Sequence, residues 1–144
     1  MSDFPNLKKP SHFLATFFGV GLLPLAPGTW GSLVALILFY FLIYFQISIS
    51  IYSLLLSLTI ITAIIACHIA SLELLEKDHK SIVIDEVAGA GVSFMFLPVL
   101  GVYDFSSANW NENSYLAAAL ILLFFRFFDI LKPHPISFID KRFK

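Results

Sequence analysis

Two adjacent carboxylates, Asp85 and Glu86, stand between the apolar stretch Ser81–Ile84 and a Val-Ala-Gly-Ala-Gly-Val run. Ionisable groups so close to hydrocarbon are costly and usually serve a function. Their hard oxygens suit Mg2+, which keeps several waters and binds through one or two carboxylates plus a substrate phosphate. Neighbouring side chains on a helix point about 100° apart, so the pair need not share one ion. A purely structural reading also exists, because the dipole at a helix start favours acids.

Arg126, Asp129 and Lys132 form a second cluster. Their spacing of three residues puts neighbours on roughly one helix face. Pro133 and Pro135 then end that helix. Asp129, between Phe127-Phe128 and Ile130-Leu131, would complement Asp85 as a metal ligand. Arg126 would hold phosphate oxygens in its fork and Lys132 would act as a point charge. The bland alternative is the cationic flank of a membrane span, with Asp129 as counterion. The third element is Pro24–Ser32, where Pro27-Gly28-Thr29 can turn sharply and Thr29 can cap a helix. Backbone N–H groups of Gly28, Thr29, Gly31 and Ser32 at such a helix start can face an anion.

Other reactive side chains offer less. Cys67 lies in an apolar run with nothing nearby to lower its pKa, so it reads as a buried structural thiol. His12, His68, His79 and His134 show no metal-ligand spacing. His134, between two prolines beside the basic cluster, is the one acid/base candidate among them.

The elements that must position these groups are membrane helices. The 144 residues are 58% hydrophobic and 13% charged, with 16 Phe, against about 25% charged for soluble domains. Length and composition imply one all-α domain over residues 1–144, built as a bundle of about four transmembrane helices. The spans are expected near Thr29–Gln46, Ile47–Cys67, Val87–Tyr103 and Ser114–Ile130. Each is close to the ~17–25 residues that a crossing helix needs. Segment Phe13–Leu23 is too short to cross and reads as an interfacial or re-entrant helix. A secretory signal is a rival reading of this region, but Gly19, Gly21, Pro24 and Pro27 break it and further spans follow. Leu72, Leu74 and Leu75 suggest that the second helix runs on past the membrane.

All nine Lys and Arg fall before span one, between spans two and three, or at and beyond the end of span four. The positive-inside rule then puts both termini and the Ser71–Ile84 connection in the cytoplasm. All three motif stretches share that face. The net charge of −1 provides no bulk attraction to nucleic acid.

Taken in order, Gly19–Ser32, Asp85–Gly89 and Phe125–Ile136 resemble the signature of the phosphatidylglycerophosphatase A family. The similarity runs from about Phe13 to Arg142. The resemblance implies a bacterial inner-membrane, Mg2+-dependent phosphatase with an all-helical fold. It implies phosphatidylglycerol phosphate as substrate and phosphatidylglycerol as product.

On this reading Asp85, Glu86 and Asp129 hold one or two Mg2+, which polarise the phosphomonoester and acidify a water. Glu86 takes the proton of that water, while Arg126, Lys132 and the Gly28–Ser32 backbone stabilise the transferring phosphoryl group. Asp85 as a direct nucleophile is the other version. Two rival classes are a membrane scaffold or assembly subunit and a small transporter. The span centres are apolar apart from Ser and Thr, which counts against transport.

Overall fold

The computed structural model describes residues 4–74, 79–101 and 112–131. Among them every regular element is helical: α1 (Pro10–Ala15), a 3-10 turn (Val20–Leu22), α2 (Pro27–Tyr44), α3 (Ile49–Glu73), α4 (Ile84–Phe94) and α5 (Glu112–Leu131). Among the described residues three helices, α2, α3 and α5, are long and apolar enough to cross a membrane, with mean hydropathies of 1.6, 2.3 and 1.9. At 1.5 Å per residue, the 25 residues of α3 reach about 37 Å, more than the ~30 Å hydrocarbon core. That helix does run beyond the expected Cys67, as far as Glu73. Its outer face exposes Leu54, Leu58, Ile61 and Ile65, a surface suited to lipid rather than water.

The third expected span takes a different form. Regular α-helix covers only Ile84–Phe94, 11 residues. The chain then continues to Gly101 in tighter turns, with Met95, Phe96 and Leu97 each bonding back three residues. Pro98 is the physical reason, since it has no N–H to give the Phe94 carbonyl and disfavours the helical conformation for the residue before it. Gly101 closes the segment with φ +65, a left-handed conformation that glycine adopts freely.

Short α4 is the axis of the bundle and packs on α2, α3 and α5. Its small residues make this possible. A Cβ on Gly89 would press on the Phe125 ring of α5 at 2.8 Å, and one on Gly91 on Leu56 of α3 at 2.8 Å. Ala88 is buried in a cluster with Ala63 of α3, and Ala90 in the larger core cluster that holds Ala35 and Phe39 of α2. The core beneath is aromatic: Phe39 of α2 stacks on Phe94 with centroids 4.5 Å apart, and Tyr52 meets Phe39 edge-on at 5.7 Å. The Tyr52 hydroxyl donates to the Gly91 carbonyl at 2.7 Å, tying α3 to the backbone of α4.

Segment 4–26 forms a brace rather than a span. After six residues of α1 the chain reverses through Phe17 and Phe18 (φ 45 and 58) and Gly19 (φ 90). Such backbone is tolerated at membrane depth only where its polar groups find partners. Here the Ala15 carbonyl accepts from Val83 N–H at 3.0 Å, and Gly21 lies against the Ser81 backbone, leaving no room for a Cβ. Buried His12 accepts at Nδ1 from Asn6 N–H (3.1 Å) and turns Nε2 to within 3.3 Å of the Glu73 carboxylate, which also pairs with Lys9.

Candidate active site

The beginnings of α2 and α4 meet the end of α5. Pro27 opens α2 with Ala26 as the capping position, a place where proline's missing N–H costs nothing. Thr29, expected as the cap, is therefore already inside the helix, and its own N–H bonds to the Ala26 carbonyl. Gly31 presses on Val83, where a Cβ would stand 3.1 Å from both the side chain and the carbonyl. That contact brings Gly28, one turn earlier, against the first turn of α4. A Cβ on Gly28 would run into Glu86 Oε1 and stand 3.1 and 3.2 Å from the terminal nitrogens of Arg126. The Gly89–Phe125 contact fixes α5 at the height that puts Arg126 there.

A cavity of about 550 Å3 opens beside this meeting point. Asp85, Glu86, Arg126, Gly28, Cys67, His79 and Lys80 line it, with Leu25, Ala26, Pro27 and Ile82 at its edge. Asp85 is exposed, whereas Glu86 is half-buried. The Arg126 guanidinium contacts Asp129 through one terminal nitrogen and lies 3.5 Å from Thr29 Oγ1 through the other. Glu86 Oε2 and Arg126 Nε are buried with no hydrogen-bond partner among the described residues. Glu86 stands ahead of the Val87–Tyr103 stretch. Burial first, and then the hydrogen bond and charge of Asp85, push its carboxyl far above the ordinary carboxylate range, with Asp129 adding to the effect.

The expected ligands are thus neighbours but not a closed cage. Among the described residues no three His, Cys, Asp or Glu side chains gather closely enough to hold an ion by themselves. Asp129 is engaged by Arg126 instead. An Mg2+ ion fits the two remaining carboxylates all the same, because it takes few protein oxygens and keeps waters and phosphate as its other ligands. The unpartnered Glu86 Oε2 is the oxygen such an ion would satisfy.

Of the backbone donors expected to face an anion, Gly28 lines the cavity. Ser32 is buried, and its hydroxyl bonds to the Gly28 carbonyl at 3.0 Å. Gly31 serves close packing. Lys132 and His134 lie outside the described residues. His79 and Lys80 were passed over by sequence reasoning and now line the cavity. The His79 Nδ1 accepts from Ser81 N–H at 3.2 Å, which leaves the proton of the neutral ring on Nε2. Their one sequence signal was topological, since the Ser71–Ile84 connection was expected on the same membrane face.

The profile of phosphatidylglycerophosphatase A matches residues 13–144. The chain belongs to that family. A phosphatidylglycerophosphatase A of Escherichia coli (strain K12) is 34% identical over 136 residues, covering 94% of this chain and 70% of the relative. One of Haemophilus influenzae is 36% identical over 137 residues, covering 95% and 76%. A Bacteroides thetaiotaomicron protein with the provisional name phosphatidylinositol-3-phosphatase is 35% identical over 134 residues, covering 88% and 76%. No solved structure gives a significant match. The phosphatidylglycerophosphatase A match takes in every residue that lines the cavity.

Proposed function

We propose that this chain hydrolyses the terminal phosphomonoester of phosphatidylglycerol phosphate, releasing phosphatidylglycerol and inorganic phosphate. It would do so in the bacterial inner membrane, with the cavity and both termini facing the cytoplasm. The observation that carries this reading is the meeting of Glu86 and Arg126 over Gly28, beside a cavity that also takes in Asp85, His79 and Lys80. Cations there suit a phosphate, and carboxylates suit an ion and a proton. The names of the Escherichia coli and Haemophilus influenzae relatives support the choice of substrate.

Asp85 and Glu86, with Asp129 close by, would hold Mg2+, which when bound neutralises charge on the phosphoryl oxygens. The chain's own groups do the rest. Arg126 grips two phosphate oxygens with its fork, and Lys80 and Lys132 add point charges. Gly28 keeps the floor clear so that the phosphate can approach both Glu86 and Arg126. Ionised beside the cation it would help to hold, Glu86 accepts a proton from water at its second carboxylate oxygen as the water oxygen bonds to phosphorus. The bond from phosphorus to the glycerol oxygen breaks, and the same proton passes to that leaving oxygen.

Phosphate release by the purified protein in detergent, with and without Mg2+, tests this. Phosphatidylglycerol phosphate should be cleaved only with the ion, and faster than phosphatidylinositol 3-phosphate, the substrate class in the name of the Bacteroides thetaiotaomicron relative. No release from the first lipid would sink the activity. Near wild-type turnover in both Asp85→Asn and Asp129→Asn would sink the site.

A further inference from the structure

Beside the polar cavity runs a second hollow of about 450 Å3, between α5 and the turns that follow α4. Phe96 and Leu100 form one wall, and Ile121, Phe124 and Phe128 the other. The hydroxyl of Ser93, which also lines it, is spent on the Gly89 carbonyl at 3.0 Å. The remaining polar group is Asp129, at one end. Asp129 pairs with Arg126, which lines the polar cavity. An apolar groove and a charged cavity therefore adjoin across a single ion pair.

Dimensions and chemistry select the occupant. Ile121, Phe124 and Phe128 fall on one helix face. From Ile121 to Asp129 the groove follows α5 for about 12 Å, most of the ~15 Å that one leaflet's share of the hydrocarbon provides. We propose that this groove seats an acyl chain of the phosphomonoester lipid whose headgroup enters the polar cavity. The inference rests on the lipid-phosphatase reading and adds the subsite that would let the enzyme hold its substrate by the tail. Arg126 neutralises the Asp129 carboxylate at the junction, so an anionic headgroup passes it without facing a bare negative charge. A bystander lipid has no need of a charged pair at one end of its berth, whereas a phosphate-bearing amphiphile does.

The test is photo-crosslinking of the full chain in lipid nanodiscs. The probe is a diacyl phosphomonoester lipid carrying a diazirine in one acyl chain, and the labels are mapped by mass spectrometry. Labels should concentrate on Phe96–Leu100 and Ile121–Phe128. Unlabelled diacyl phosphomonoester should displace them and phosphatidylcholine should not. Ile121→Trp, which fills the groove from α5, and Leu100→Trp, which fills it from the turns, should each lower labelling several-fold with helical content kept. Labels spread equally over the Leu54–Ile61 face of α3, equal displacement by phosphatidylcholine, or unchanged labelling in both folded variants would overturn the proposal. So would crosslinks showing a second copy of the chain in the groove. Cleavage by the wild type with evenly spread labels sinks only the groove, while focused labels without phosphate release sink only the phosphatase reading.

Discussion

Gly28 and Arg126 approach so closely that a single methyl group on the glycine would stand 3.1 and 3.2 Å from the two terminal guanidinium nitrogens. The same methyl would strike the far end of the Glu86 side chain. Both obstacles are flexible tips, so the fold can yield. Alanine is also the better helix former, by up to about 1 kcal/mol. Gly28→Ala is therefore expected to keep its melting temperature and lose phosphate release on the order of 100-fold, as misplacement of reacting groups by about 1 Å does. Thermal unfolding and a phosphate assay on the same preparation check this.

Arg126→Lys keeps the charge and removes the fork that reaches Asp129 and Thr29 together. A charged hydrogen bond contributes roughly 1.5–3 kcal/mol. The variant should lose about 10- to 100-fold in kcat/KM, with helical content intact by circular dichroism. Full activity in this variant would show that the phosphate is not gripped in bidentate fashion.

Glu86→Gln should separate stability from activity. The folded protein raises the Glu86 carboxyl above its ordinary value of 4.5, so folding favours the protonated form. Stability is then greatest below that value and declines as pH rises toward the folded pKa. Glutamine cannot ionise, so the metal-free variant should be more stable than wild type at neutral pH, by an amount on the order of 1 kcal/mol. The gap should widen with pH while turnover is lost. Unfolding curves at several pH values in chelator provide the measurement.

Cys67 lines the cavity but has no part in the proposed chemistry. Cys67→Ser should keep near wild-type turnover. A bulky maleimide on the wild-type thiol should block the cavity, and bound substrate should slow the modification. Loss of turnover in a folded Cys67→Ser protein would revive thiol chemistry.

Orientation can be read in spheroplasts by cysteine labelling in the Cys67→Ser background. Lys80→Cys should react only when the cytoplasmic face is opened. Gln46→Cys, in the connection between α2 and α3 at the other end of both helices, should react from outside. The reverse pattern would invert the topology.

Much of the scaffold was legible because hydrophobic run length is a strong signal. The ends of α2 and α5 fall within two residues of the expected Thr29–Gln46 and Ser114–Ile130. Run length said less about α4, whose apolar stretch continues past Phe94 while Pro98 and Gly101 change the backbone within it. Residue types singled out Asp85, Glu86, Arg126 and Asp129, and the i, i+3 spacing already offered Asp129 as counterion to Arg126, but the contact with Thr29 was not legible. That Arg126 serves Asp129 and Thr29 together depends on the height at which α5 meets α4, which the Gly89–Phe125 contact fixes. Gly28, expected as a donor to an anion, lines the cavity and also provides clearance for Glu86 and Arg126. Close approach of two helices leaves no trace in one sequence beyond the glycine itself. His79 and Lys80 were hidden for a similar reason, since a charged connection says nothing about which of its side chains fold back over the bundle.

The hydrogen bond from Val83 N–H to the Ala15 carbonyl also has a consequence for biosynthesis. Ala15 leaves the ribosome early, and its partner follows only after α2 and α3 have been made. The amino-terminal brace cannot settle until then, and the acids two and three positions beyond Val83 cannot be aimed before it does. A purification tag or fusion that restrains the first twenty residues would thus mimic an active-site lesion, though it alters no residue of the site.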